Sequence, residues 1–189
     1  MRYAPEHNDA TRERILEAAS RLFREHGIAA VGLAKIMAQA GLTVGTFYTH
    51  FKSKEALLRE ALLRTLDARH EEVEQALHGG DLEMAVRAYL SPEHRDAAGT
   101  GCPIAALAAE VARHPRATRH TFASHNEPTL DALAAWLSSR RSKEVGRADA
   151  AAFLGLLSGT LQLARATPDR AESDAILEAG VHAAIRLAK

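Results

Sequence analysis

The chain has 189 residues, and its 24 lysines and arginines balance 24 aspartates and glutamates, so no overall charge attracts it to polyanions. A single cysteine excludes an intramolecular disulfide framework and is compatible with a reducing cytoplasm. The N-terminal sequence MRYAPEHNDATRER contains no apolar stretch typical of a signal peptide, and the longest apolar tract, residues 149–165, is too short for a membrane span. We therefore expect a cytoplasmic protein without a transmembrane segment.

Helical periodicity begins close to the N-terminus, over residues 9–26. Apolar side chains recur there at the three- and four-residue spacing of one buried helical face. They are Ile15, Ala19, Leu22 and Phe23. Gly27 follows and predicts the end of the helix, because a residue without Cβ adopts the left-handed backbone conformation easily.

Two short helical patterns follow in residues 33–51 and are separated by Gly41, which suits a tight turn between helices. Thr43 stands at the expected N-cap of the second helix. Phe47 and Phe51 are four residues apart and are expected to face inward. This spacing predicts a helix-turn-helix, whose second helix could enter the major groove of DNA. The residues left on its other surfaces are Val44, Gly45, Thr46, Tyr48, Thr49 and His50.

The charge distribution around this motif supports the same interpretation. No carboxylate occurs between Glu25 and Glu55, whereas Lys35, Lys52 and Lys54 lie within that window. A local basic surface on a neutral chain is typical of a discrete DNA-binding module. The alternative is that a run without acidic residues arose by chance in a small helical domain.

Helical patterns fill the remainder of the chain, and strand signals are absent. Residues 93–101 are expected to form a loop, because they are polar and lack a period. Pro128 must either kink one helix or begin a second. We therefore expect an all-α protein of about nine helices. The later expected helices span residues 53–78, 81–90, 103–113, 116–140, 147–166 and 169–188. Ser53 is expected to cap the first of these helices, and Asp169, with Glu172 three residues later, the last.

The segment from about Thr11 to Leu63 resembles the N-terminal DNA-binding domain of the TetR family of bacterial transcriptional repressors. Its most specific part is GTFYTHFKSKEAL, residues 45–57. Two departures are Gly32, where a threonine or serine usually caps the first motif helix, and Val44, where a polar or basic residue is frequent. The resemblance implies a three-helix DNA-binding domain in residues 1–52 and a larger helical domain for effector binding and dimerisation in residues 53–189. The expected partners are operator DNA, a second copy of the chain and an unidentified small-molecule effector.

The resemblance also assigns the residues that contact DNA. In the family, the residues that match Thr43, Thr46, Tyr48 and His50 lie at the DNA, and the lysine that matches Lys54 binds a phosphate. The complete expected set is Thr43, Val44, Gly45, Thr46, Tyr48, Thr49, His50, Lys52 and Lys54.

Two further sites are expected in the C-terminal part. Small residues on the last two helices favour close packing, either within the chain or with a second subunit in a four-helix bundle, as in the family. The expected dimer residues are Gly155, Ser158, Gly159, Ala179, Gly180 and Ala183. For the effector pocket we expect four aromatic or amphipathic residues, which could equally be plain core. They are Tyr89, Phe122, His125 and Trp136.

Cys102 and the ten histidines suggest alternative functions. Cys102 precedes an expected helix start, a position that suits a reactive cysteine, so a thiol-responsive regulator is one alternative; the simpler interpretation is a buried apolar residue. The histidines lack metal-ligand spacing, so no metal or cofactor is expected, and a metal-responsive regulator that acts through them is kept only as an alternative function. No catalytic motif is present, which favours a regulator over the remaining alternative, an all-helical enzyme without DNA affinity.

Overall fold

The computed structural model describes residues 5–78, 80–141 and 144–189. Within these residues every regular element is a helix, which confirms the expected all-α class. Ten helices are found, one more than the nine expected. They are α1 (Pro5–His26), α2 (Leu33–Gln39), α3 (Val44–His50), α4 (Lys54–His78), α5 (Leu82–Tyr89), α6 (Pro92–Asp96), α7 (Pro103–Val111), α8 (Arg116–Ser138), α9 (Arg147–Ala166) and α10 (Arg170–Ala188).

The additional helix, α6, lies in the segment that the sequence predicted to be a loop. Ser91 caps it by accepting a hydrogen bond from the His94 amide at 3.2 Å. Pro92 occupies the first helical position, where its missing N–H costs nothing. These two local signals outweigh the polar composition of residues 93–101, so the loop prediction was wrong for the first part of that segment.

Helices α1, α2 and α3 pack around a small shared core. Phe23, Ile36 and Phe47 are almost completely buried in it. Gly41 has a φ of +65°, which confirms the left-handed turn expected between α2 and α3. Thr43 has the extended backbone of an N-cap, but its hydroxyl does not cap the helix as predicted. The hydroxyl lies 3.1 Å from the Thr46 hydroxyl instead.

The long helix α4 links these three helices to the others and runs parallel to α8. Ser53 caps it, as predicted, by accepting from the Ala56 amide at 3.1 Å. Helix α8 continues through Pro128 without interruption, so the proline neither ends the helix nor begins another. Among the described residues, no helix is long and apolar enough to cross a lipid bilayer.

Helices α9 and α10 form an antiparallel pair held by a close backbone approach. Gly180 is buried there, and a Cβ on it would lie only 2.4 Å from Cγ2 of Thr160. Asp169 begins α10 as predicted, since its carboxylate accepts from the Glu172 amide at 2.8 Å. Gly180 therefore packs within the chain, against Thr160 of α9.

Candidate DNA interface and ligand cavities

Helix α3 turns the residues expected at DNA toward solvent and its two phenylalanines inward. Phe47 and Phe51 are buried with their rings 5.7 Å apart, which anchors the helix to the core. Tyr48 is 66% exposed and Val44 is 42% exposed, unusual values for large apolar or aromatic side chains. Thr43, Gly45, Thr49 and Lys52 are also exposed, and Thr46 and His50 are half-buried.

The polar groups on α3 are held by short local hydrogen bonds. The Thr49 hydroxyl donates to the Thr46 carbonyl at 2.7 Å, while the hydroxyls of Thr43 and Thr46 pair with each other. The pKa of His50 is lowered, mainly by burial and secondarily by the positive charge of Arg12. The surface of α3 is therefore mostly neutral, with hydroxyl groups at its N-terminal end.

The Lys54 side chain has partners within the chain that the sequence did not predict. Its ammonium donates to the Ile28 carbonyl at 2.6 Å and lies 5.9 Å from the centre of the Phe23 ring. The side chain is half-buried, and its hydrogen bond to Ile28 stabilises the loop between α1 and α2. An ammonium has three N–H donors, so two remain for an additional acceptor such as a phosphate.

Contacts between the helix-turn-helix part and the later helices were not foreseen from the sequence. The Glu55 carboxylate accepts hydrogen bonds from His114, at 3.1 Å, and from the Thr118 hydroxyl, and the Glu110 carboxylate accepts from the Ala29 amide at 3.0 Å. The sequence pattern assigned no contact to Glu55. No periodic pattern signals such contacts, because each joins residues about 60 to 80 positions apart.

The four residues expected to form one effector pocket do not lie together. Tyr89 and Trp136 line a small apolar cavity of about 60 Å³ between α4, α5, α8 and α9. Phe122 packs half-buried against the core outside the lining of that cavity, and His125 lies 2.8 Å from the Asp67 carboxylate. Phe122 and His125 lie on the same face of α8 as the cavity-lining Leu133 and Trp136, but about three helical turns earlier, beside the first half of α4.

Polar atoms without partners occur at this apolar cavity. The Tyr89 hydroxyl and the Trp136 indole N–H are buried and form no hydrogen bond within the described residues. The Arg69 guanidinium lies 5.3 Å from the centre of the Tyr89 ring. The Tyr89 hydroxyl lies beside the Cys102 thiol, so the apolar walls of the cavity are combined with one polar group that no neighbour engages, the Trp136 indole N–H, a combination that suits a small-molecule site.

Cys102 is 1% exposed, so a reagent reaches its thiol only if the surrounding segment opens. Its amide donates to Nε2 of His94 at 2.9 Å, and Nδ1 of His94 donates to the Tyr89 carbonyl at 2.6 Å. These two bonds require the neutral imidazole with its proton on Nδ1. Within the described residues, no group of three or more potential metal ligands occurs around Cys102 or elsewhere.

The neutral state of His94 makes the fold sensitive to pH. Burial lowers the pKa of His94 most strongly, and Arg69 and Arg165 lower it further, against the opposing hydrogen bond to Tyr89. The unfolded chain therefore binds this proton more readily, at its ordinary pKa of about 6.5. Below that pH the free energy of unfolding must fall.

We expect the unfolding free energy of the wild-type protein to decrease from pH 7.5 to pH 5, and the decrease to be smaller in His94→Asn. At pH 7.5 the variant should be less stable by about 1 to 3 kcal/mol, because two hydrogen bonds are lost. Chemical denaturation at both pH values measures the difference. His120→Asn, at an exposed position, is the control, and an unchanged pH slope in His94→Asn would contradict the assignment.

Comparison with known proteins agrees with this architecture. Residues 15–61 match the family model described as bacterial regulatory proteins, tetR family. The transcriptional regulator TtgR of Pseudomonas putida is 38% identical over 81 residues, which cover 43% of this chain and 38% of that protein. UidR of Escherichia coli is 33% identical over 109 residues, 56% of this chain and 54% of that protein. The chain thus spans about half, or less, of the length of these relatives.

Solved structures match over almost the whole chain. The reduced form of Escherichia coli NemR has a TM-score of 0.75 at 23% identity, with 93% of this chain and 95% of that chain covered. A TetR-family regulator from Streptomyces coelicolor has a TM-score of 0.67 at 26% identity, with 94% and 95% covered. The family model thus accounts for the helix-turn-helix part, and the fold match extends over the later helices. Residues 15–61 therefore form the domain described by the tetR family model of bacterial regulatory proteins, and the later helices share the fold of the TetR-family regulator from Streptomyces coelicolor.

Proposed function

We propose that the protein is a DNA-binding transcriptional regulator of the cytoplasm, most simply a repressor that a small-molecule effector releases from its operator. The observation that carries this proposal is the outward surface of α3. Phe47 and Phe51 hold the helix on a buried scaffold, while Tyr48 is exposed and the threonine hydroxyls form only local hydrogen bonds within the segment. Such a surface suits insertion into the major groove.

The proposed contacts divide into two kinds. Val44 and Thr46, with Gly45 between them, lie at the start of α3 and are assigned to base edges, where a methyl group can meet thymine. The remaining residues are assigned mainly to the sugar-phosphate backbone. These are Thr43, Tyr48, Thr49, His50, Lys52 and Lys54.

Removing a phosphate contact should weaken binding to all sequences alike. We expect Lys54→Ala to reduce the slope of log affinity against log salt by about one, because one fewer counterion is released, and Tyr48→Phe to weaken binding without altering this slope. Fluorescence anisotropy with the upstream region of the gene, at several salt concentrations, measures both. Lys189→Ala removes the same charge at the end of α10 and should change neither quantity. An unaltered slope in Lys54→Ala would remove this lysine from the interface.

We further propose that α9 and α10 form the dimer interface. Gly155 and Ala179 are exposed, and Gly159 and Ala183 are half-buried, so all four can face a partner subunit. Leu163 is 64% exposed beside them on α9. Ser158 and Gly180, which were expected in the same interface, are instead buried within the chain, because α9 and α10 pack directly on each other.

A charge placed in this interface should separate the subunits. No atom lies within 4 Å of a Cβ built on Gly159, so Gly159→Glu leaves the fold of one subunit intact. We expect monomers in sedimentation velocity and loss of operator binding, because two recognition helices about 34 Å apart are needed to bind one site. Ala88→Glu, on the exposed side of α5, is the control. A Gly159→Glu protein that sedimented as a dimer would place the interface elsewhere.

The effector site is assigned to the apolar cavity at Tyr89 and Trp136. Its volume of about 60 Å³ is small beside the 300 Å³ or more of typical ligand sites, so an effector must move α4, α5, α8 and α9 apart. The movement would reach α3 through α4 and through the contacts of Glu55 and Glu110. An effector that prefers the opened state lowers DNA affinity, and DNA lowers effector affinity by the same factor.

Enlarging this cavity should alter the response to ligands. A compound that raises the melting temperature of the wild-type protein should lower operator affinity by about 5- to 150-fold, the usual range of allosteric coupling. Trp136→Ala should change the affinity for that compound, whereas Phe122→Ala, outside the cavity, should change it much less. Thermal shift followed by anisotropy tests both. If all stabilising compounds left DNA affinity untouched, release by an effector would be wrong.

A further inference from the structure

A second cavity lies where α1 meets α4 and the segment between α6 and α7. Its volume is about 320 Å³, more than that of the apolar cavity. Four arginines line it, together with two glutamates, Glu17 and Glu72. The arginines are Arg21, Arg24, Arg64 and Arg69.

Three of these arginines have exposed carboxylate partners. Arg21 lies 3.7 Å from Glu25, Arg64 pairs with Glu13, and Arg69 lies 3.1 Å from Glu72. Ion pairs between exposed side chains contribute little free energy, about 0 to 1 kcal/mol, so the exposed guanidinium groups of Arg21 and Arg64 can exchange partners readily. Glu13 and Glu25 also lie outside the lining of the cavity.

Arg24 differs from the other three. Its guanidinium donates only to backbone carbonyls, of Ser20 and of Gly101, both at 3.2 Å. Burial lowers the pKa of Arg24, although the nearby charge of Glu72 opposes this shift, and no carboxylate of the described residues lies within ion-pair distance of its guanidinium. A half-buried guanidinium that contacts no carboxylate is incompletely neutralised, and a bound anion in direct contact would complete its pairing.

Ser20 supplies a second unused polar group at the same place. It is 6% exposed, and its hydroxyl has no hydrogen-bond partner within the described residues. A serine in a helix usually bonds the carbonyl four residues earlier when its hydroxyl is buried. Ser20 therefore offers a donor next to Arg24, in the lining of the same cavity.

We propose that this cavity binds a small molecule that carries a phosphate monoester. Planar guanidinium groups with paired N–H donors match phosphate oxygens, and several of them around one cavity favour a doubly charged group over a single carboxylate. The volume admits the phosphate and a small organic part. Because the lining joins α1 to α4 and to Gly101, the ligand contacts both the helix-turn-helix part and the later helices.

Isothermal titration calorimetry of the full chain with glycerol 3-phosphate tests the proposal, at constant ionic strength set with chloride. We expect saturable binding with one site per chain, weaker binding of inorganic phosphate and of the phosphodiester dimethyl phosphate, and none of glycerol. Arg24→Gln should weaken the affinity about tenfold or more, because a charge-assisted hydrogen bond is lost. Arg113→Gln, an exposed arginine that donates to Ala109, is the charge-matched control and should bind as the wild type does.

Ser20→Ala keeps the proposal testable if Arg24→Gln does not fold. It removes an unpartnered hydroxyl, so the melting temperature of the free protein should stay unchanged or rise while the affinity for glycerol 3-phosphate falls severalfold. Absence of saturable binding would overturn the proposal. Equal affinity in the wild-type protein, Arg24→Gln and Ser20→Ala would do the same, and binding of acetate as tight as that of glycerol 3-phosphate would overturn the assignment to phosphate.

Discussion

In the first turn of α4, Glu55 accepts hydrogen bonds from His114 and Thr118 at the start of α8. Its neighbour Lys54 donates in the opposite direction, to the Ile28 carbonyl before α2. Hydrogen bonds to charged groups contribute about 1.5 to 3 kcal/mol each, and these groups are half-buried, where solvent screens them less. One helical turn thus joins the scaffold of α3 to α8, and the position of α3 follows the position of α4.

This arrangement explains how a change at the apolar cavity could affect DNA binding without a flexible hinge. Val73 and Leu77 of α4 line the cavity, and Glu55 and Lys54 stand at the other end of the same helix. A displacement of α4 near the cavity is carried along a rigid element, since packed helices shift as units and do not deform continuously. The contact of Glu110 with Ala29 adds a second connection, from α7.

The local features of the fold could be predicted from the sequence, whereas its long-range contacts could not. Periodicity and cap chemistry identified α2 and α3, the turn at Gly41, and the caps at Ser53 and Asp169, because each depends on residues a few positions apart. The partners of Glu55 depend on which helices become neighbours, and no local pattern carries that information. The prediction of the effector pocket was partly wrong for the same reason. Aromatic character alone did not distinguish Trp136, which lines the cavity, from Phe122, which does not.

The parallel course of α4 and α8 has a consequence for the synthesis of the chain. Two parallel helices cannot be joined by a short turn. The apolar side of α4 that contains Leu58 and Leu66 is therefore covered only once residues of α8, about 60 positions later, have been synthesised. Residues 5–51 can consolidate early during translation and α1 can pair with one side of α4, while the side of α4 that faces α8 stays uncovered until α8 has emerged from the ribosome. Contacts of such long separation slow folding and leave apolar surface exposed to aggregation. Nascent chains that end between α5 and α7 should therefore be the ones that most need a chaperone.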